Sequence, residues 1–365
     1  MRLALLWIVA LACGALAAPS LPECDPDRFP ASLRQELVRL RDAALTSDYA
    51  YAQLSHLCRR IGPRFSGTPQ AEAAVDHVAA EMRRLGLQVR LEECQVPHWV
   101  RGVEQAELVE FPGQVKGIRH PVVLTTLGGS LATPPEGVTA PVLVVASFAE
   151  LEALNPDQVK GKIVLFNYPF DERMAAAGQG VMAYALAAPY RVDGPSAAGA
   201  LGAVACLVRS VGGARYRLPH TGTLDYAADQ PRIPAAAVAA EDAEWIADLS
   251  RQGPVQLHLV LTPRDLPPVV SHNVIADIPG SELPEQVVIV SGHLDSWDVG
   301  TGALDDGAGV VMAMQTAELV QRLGLKPRRT LRVVAWMNEE NGLAGGKTYA
   351  RNHSAAEHFA VIESD

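Results

Sequence analysis

Basic residues are in the minority in this chain. Lys and Arg number 31 against 41 Asp and Glu, which leaves a formal net charge of −10 over 365 residues. A phosphate backbone needs a basic face, so nucleic acid is a poor partner. Long runs of like charge are absent as well. With 48% hydrophobic residues, the composition excludes a disordered chain and allows a large core or two domains. Cysteines are few and widely spaced: Cys24, Cys58, Cys94 and Cys206 follow Cys13. They lack the close pairs of a cysteine-based zinc site. After the first residues no apolar stretch is long enough to span a bilayer. Also missing are an HExxH helix, a GxSxG elbow, a Walker loop and a GxGxxG turn after a strand. Serine-hydrolase and nucleotide-enzyme readings weaken accordingly.

What is present begins at the N-terminus. Met1-Arg2 precedes an almost unbroken apolar run from Leu3 to Leu16, which closes on Ala15-Leu16-Ala17. A positive start, a short apolar run and a small-x-small site predict a signal peptide over residues 1–18. The mature chain is then secreted, or periplasmic in a bacterium, and disulfides are permitted. Cys13 offers a lipoprotein alternative.

The mature chain divides by texture into 19–101, 102–271 and 272–365. In the first part, Leu33 to Arg60 has helical spacing, and Pro69 to Leu85 is an amphipathic helix. The stripe of that second helix is Ala71, Val75, Val78, Ala79 and Met82, and Gly86 ends it. Leu87 to Val96 alternates as a strand. From Gly102 onward, short β-rich runs are punctuated by Gly and Pro. One short helix is predicted there, near Ser196–Leu201. After His272, strand and helix alternate: strands at 273–278, 287–290, 330–336 and 359–362, helices at 307–323 and 345–352. That rhythm predicts an α/β fold, a mixed sheet flanked by helices, with ligands beyond the carboxyl ends of its strands.

The acids and the histidine sit at those ends. His293 and Asp295 follow one strand, Glu339 and Glu340 the next, and Glu363 and Asp365 the last. Asp305 and Asp306 open a helix. One imidazole and seven carboxylates would thus gather on one edge. So many carboxylates would repel one another unless a cation joined them. Histidine mixed with acids suits zinc better than calcium. Two ions roughly 3.5–4 Å apart, sharing a carboxylate, could activate a water between them. Asp295 is placed to hold the other ring nitrogen of His293. Of Glu339 and Glu340, one could bind metal while the other moves a proton. Singly these pairs are unremarkable: Asp305-Asp306 could merely cap a helix, and Glu339-Glu340 could be a solvated loop. His353 and His358 read as surface residues. His220 reads as a turn residue, with a place beside substrate as the alternative.

Four segments carry a family resemblance. Ser291-Gly292-His293-Leu294-Asp295-Ser296-Trp297-Asp298-Val299-Gly300 is followed by Gly302-Ala303-Leu304-Asp305-Asp306-Gly307-Ala308-Gly309. Trp336-Met337-Asn338-Glu339-Glu340 and Glu363-Ser364-Asp365 complete the set. In this order they resemble the two-zinc aminopeptidase family. The resemblance implies a zinc exopeptidase core interrupted by a β-rich protease-associated domain, here 102–271. It implies that His293 and Asp365 bind one zinc, that Asp305 bridges both, and that Glu340 binds the second. Glu339 would be the general base and Asp295 would orient His293. A cis peptide at Asp305-Asp306 is implied too. So are two zinc ions per complete chain, a dipeptide or short peptide with free termini as substrate, and a homodimer. A further histidine ligand is expected downstream of Asp365, which makes this sequence a fragment or an alternative product. The rival reading is a catalytically inactive, receptor-like binding protein on the same core.

Overall fold

The computed structural model describes residues 29–365. The leader expected over residues 1–18 lies outside them, as do Cys13 and Cys24. Among the described residues, no helix is long and apolar enough to cross a membrane. Cys58, Cys94 and Cys206 carry free thiols.

The chain forms two units, one ending at Ser47 and one running from Asp48 to Asp365. The described part of the first is α1 (Ala31–Leu45). The second opens with α2 (Tyr49–His56), α3 (Pro69–Arg84) and β1 (Gln88–Val100). Next come β2 (Glu104–Glu110), β3 (His120–Pro121), β4 (Leu124–Thr126), β5 (Val138–Val145), α4 (Phe148–Glu152), α5 (Pro156–Val159) and β6 (Ile163–Phe166). Helices α6 (Glu172–Met174), α7 (Gly180–Val192) and α8 (Gly194–Ala200) lead to β7 (Ala205–Arg209), β8 (Ala235–Val238), α9 (Ala240–Gln252) and β9 (Gln256–Leu261). The chain closes with β10 (Arg264–Ile278), β11 (Leu283–His293), α10 (Ala308–Arg322), β12 (Arg329–Trp336), α11 (Ala344–Asn352) and β13 (His358–Glu363).

These strands make two sheets. The first has the order β1-β10-β12-β11-β13, with β11 parallel to both β12 and β13. The second runs β3-β2-β9-β5-β6-β7-β8-β4, with β5, β6, β7 and β8 parallel. The segment 102–271 carries all eight strands of the second sheet, but with several helices where one short helix is expected. The crossover between the parallel strands β6 and β7 contains α7, and α7 and α9 are helices that the sequence reading missed. The long β1–β10 ribbon pairs from Gln88–Asp277 out to Val100–Arg264 and carries the chain between the sheets. The expected boundary at 271/272 falls inside β10.

Helix α3 forms as its sequence dictates. Thr68 accepts a hydrogen bond from Ala71 N at 3.2 Å, Pro69 sits in the first turn, and Gly86 follows at φ +84°. Its stripe of Ala71, Val75, Val78, Ala79 and Met82 is buried against Val274, Ala276, Val333 and Ala335 of the sheet. Val310, Met314 and Ala317 of α10 join the same core. Each large apolar side chain so buried contributes roughly 1.5–3 kcal/mol. Ile275, Ile289, Val334 and Tyr349 cover the other face. Burial on both faces explains why β12 reads as a continuous apolar run.

Candidate metal centre

Strand β11 ends on His293, whose side chain is almost wholly buried. Its neighbour Gly292 is required for space. A Cβ there would lie 2.5 Å from Asp306 Oδ2 and from Val310 N. Asp306 uses that room to tie two elements together. Its carboxylate accepts from His293 N and from Gly309 N, each at 2.8 Å, so it holds the strand end and caps α10. Capping was one reading of this pair from the sequence, and it describes Asp306. Asp305 faces the other way. The Asp305–Asp306 peptide is cis.

Asp305 Oδ1 lies 3.0 Å from His293 Nε2, and Asp365 Oδ1 lies 3.9 Å from the same nitrogen. Ligand atoms of His293, Asp305 and Glu340 lie within 4.8 Å of one another. Four residues from three strand ends and one helix start thus converge, beyond the carboxyl ends of parallel strands. His353 and His358 stay out of this group. Both pack around Tyr349, and His358 Nε2 is 2.8 Å from its hydroxyl. They are partly buried rather than surface residues.

Asp295 acts differently from the expectation. His293 Nδ1 meets the main-chain carbonyl of Asp295 at 2.9 Å, while the nearer carboxylate oxygen is 3.8 Å away. The buried carboxylate instead accepts from Glu339 N at 3.0 Å, Glu340 N at 3.3 Å and Ser66 Oγ at 3.1 Å. One residue therefore orients the imidazole through its backbone and the two glutamates through its side chain. Asn338 Nδ2 donates to Ser66 Oγ at 3.1 Å and extends this support. Arg64, fully buried, binds four carbonyls. Nε donates to Leu294 O at 2.9 Å, Nη1 to Gly62 O at 3.2 Å and Thr301 O at 2.6 Å, and Nη2 to Gly302 O at 2.8 Å. It pins the loop between His293 and Asp305.

Charge in the cluster is unbalanced. Burial, with the charges of Asp305 and Asp295, pushes the Glu340 carboxyl up to about 9. Burial likewise raises Glu339 and Asp295, and lifts Asp306 to about 6. Burial opposes charge on His293, yet the Asp305 hydrogen bond and the Asp295 and Glu340 charges raise it to about 10. The hydrogen bond to His293 holds Asp305 below the usual carboxylate range. Glu340 Oε1 is buried with no hydrogen-bond partner. A buried oxygen left orphaned among acids fits a cation, and the His/Asp/Glu donor set fits zinc.

The cluster opens on a cavity of about 1190 Å³ lined by Asp305, Glu339, Glu340 and Asp365. Arg191, His220, Thr221 and Gly222, from the segment carrying the second sheet, line it as well. His220 lies on the wall of this cavity.

Comparison with known proteins finds relatives of this chain. The model of "Peptidase family M28" matches residues 273–365. Carboxypeptidase Q of Bos taurus is 39% identical over 335 residues, covering 91% of this chain and 67% of that protein. The crystal structure of a peptidase M28 precursor from Shewanella amazonensis SB2B superposes with a TM-score of 0.83 at 35% identity. It covers 92% of this chain and 74% of that one. A zinc aminopeptidase from Bacillus subtilis shares the fold, with a TM-score of 0.60 at 22% identity over 87% of this chain and 68% of its own. The chain spans 64% to 67% of the length of the carboxypeptidase Q relatives that it matches.

Proposed function

The chain belongs to peptidase family M28, a family of metallopeptidases, and from that premise we propose that it carries the catalytic centre of an exported two-zinc exopeptidase acting on dipeptides or short peptides with free termini. The observation that carries this reading is the approach of His293, Asp305 and Glu340 to within 4.8 Å, with a buried, unpartnered Glu340 oxygen among them. His293 and Asp365 would hold one ion, Glu340 the other, and Asp305 both. Zinc, when bound, supplies Lewis-acid polarisation of the scissile carbonyl and of water.

The remaining work falls to the chain's own side chains. Glu339 borders the cavity, and burial raises its carboxyl above its ordinary value, the direction that suits a group that takes and returns a proton. It would accept the proton of the attacking water and deliver it to the leaving amine. Asp295 positions Glu339 through the backbone amide. The segment 102–271 supplies the facing wall of the cavity, consistent with a protease-associated insert.

The test is hydrolysis of a dipeptide panel by the zinc-supplemented protein. Activity should disappear on chelation. Glu339→Gln should lower kcat by about 10²–10⁴-fold without lowering zinc content. A Glu339→Gln protein with unchanged turnover removes the assignment. A zinc-loaded wild type inert on every dipeptide favours the receptor-like alternative.

A further inference from the structure

The loop between the candidate ligands His293 and Asp305 has no secondary structure to hold it. Residues 294–302 form neither helix nor strand, so their place depends on what grips them. Arg64 fixes the two ends. The middle is held by groups that belong with the second sheet. Arg101 lies between β1 and β2 and is only 8% exposed. It meets the Asp298 carboxylate with two nitrogens: Nε donates to Oδ2 at 2.8 Å and Nη2 to Oδ1 at 2.6 Å. Its Nη1 donates to Glu104 Oε1 at 3.2 Å, to Thr125 Oγ1 at 2.9 Å and to Thr126 O. Its Nη2 also reaches Thr221 Oγ1 at 3.3 Å. Trp297, the residue before Asp298, stacks on Phe65 with ring centroids 4.9 Å apart. Its far edge presses on Gly128. A Cβ at Gly128 would lie 2.1 Å from Trp297 Cη2, so the indole fits there only against glycine. Gly128 in turn donates to Gly222 O at 2.9 Å and accepts from Leu224 N at 3.1 Å, and both partners line the cavity.

We propose that Arg101 is a positioning residue for the metal centre: by gripping Asp298 it holds the loop that spaces His293 from Asp305, and it makes that spacing depend on the docked second sheet. That the centre takes metal rests on the function proposed above. The β1–β10 ribbon already connects the sheets, so joining them does not require an ion pair whose charges must both lose water. What the pair adds is a fixed loop. A guanidinium that meets a carboxylate with two nitrogens sets direction as well as distance. Trp297 seats the same turn on Gly128. Metal ligands that lose such support bind their ion about 10–100-fold more weakly. Gly222–Leu224 holds none of the candidate ligands, yet it is connected to their loop through Gly128 and Trp297.

Zinc titrated into the full chain against a competing chelator tests this without any hydrolysis. Asp298→Ala should weaken zinc binding about tenfold. Asp298→Asn, which keeps one acceptor, should recover part of the loss. Arg101 retains Glu104 in both variants, so its charge is not left alone. Gly128→Ala, which changes only the insert's side of the joint, should weaken zinc binding as well. A purely structural tie would lower the urea midpoint of the metal-free chain and leave the zinc affinity of the folded chain alone. Folded Asp298→Ala and Gly128→Ala proteins with wild-type zinc affinity therefore overturn the proposal. Hydrogen exchange gives the second readout. Zinc should slow exchange at Gly222–Leu224 in the wild type and should not do so in Asp298→Ala; slowing that persists in the variant also overturns the proposal. If Gly128→Ala does not fold, the two Asp298 variants still decide. A wild type that binds no zinc removes the metal reading. Faster exchange at 294–302 in metal-free Asp298→Ala then keeps the hold of Arg101 on the loop, and unchanged exchange removes that too.

Discussion

Glu340 and His293 hold protons in the metal-free chain for opposite reasons. Glu340 is buried among acids and resists ionising, so its carboxyl rises to about 9. His293 is buried too, but the surrounding carboxylates outweigh that burial and raise it to about 10. Unfolded, the two groups titrate near about 4.3 and 6.5. Both therefore bind protons more tightly when folded. Their contribution to stability is complete below the unfolded values and is lost as pH rises through the folded ones. With chelator present, the urea midpoint is expected to fall between about pH 5 and pH 10. Glu340→Gln should flatten the lower part of that fall, and zinc at pH 8 should reverse it, because the ion takes the place of the protons. A chelated midpoint that stays level from pH 5 to 9, in wild type and variant alike, would contradict this electrostatic picture.

The sheet beneath the site is held partly by Asp277 on β10. Its carboxylate accepts from Arg332 Nε at 2.7 Å and Nη2 at 2.9 Å, directly across on β12, and from Arg90 Nη1 on β1 at 2.9 Å. Burial works against this charge, but the two arginines outweigh it and hold the carboxyl below its ordinary value. Asp277→Ala should leave the buried Arg332 guanidinium short of its counter-ion and cost roughly 3 kcal/mol. A depressed carboxyl contributes above its unfolded value and loses that contribution as pH falls through its folded one. The gap between wild type and variant should therefore close in acid. Denaturant titrations at pH 7 and pH 3 read both effects, and an equal gap at both would contradict the ion-pair explanation.

The elements differ in how far local pattern revealed them. Helix α3 was legible because cap, stripe and terminal glycine agree. Strands β11 and β12 were legible because burial on both faces makes them continuous and apolar. Helix α9 was not, although Ala243, Ile246, Ala247 and Leu249 mark its buried face. It follows Ala235–Val238, a strand built mainly of alanine, and alanine is a weak strand signal. Helix α7 is apolar nearly all round and contains Pro189, so neither period nor boundary stood out. The candidate ligands could be read from strand ends. Arg64, Ser66 and Arg101 could not, because their partners lie in packing contacts that no local period records.

In the unit from Asp48 to Asp365, two sheets share one cavity. The β1–β10 ribbon is continuous between them, and Arg101 adds a tie. Its Nη2 donates to Asp298 Oδ1 at 2.6 Å on the loop after β11, and its Nη1 donates to Thr125 Oγ1 at 2.9 Å on β4. Asp305, Glu339, Glu340 and Asp365 line that cavity together with Arg191 and His220, and the proposed function requires the acids to hold metal. The direct test is diffraction from zinc-soaked crystals of the full chain at wavelengths on either side of the zinc absorption edge. Anomalous density is expected about 2.0–2.2 Å from both His293 Nε2 and an Asp305 oxygen, with a second peak reaching Glu340. Full zinc saturation with no anomalous density at these residues, and the hydrogen bond between His293 and Asp305 still closed, would contradict it.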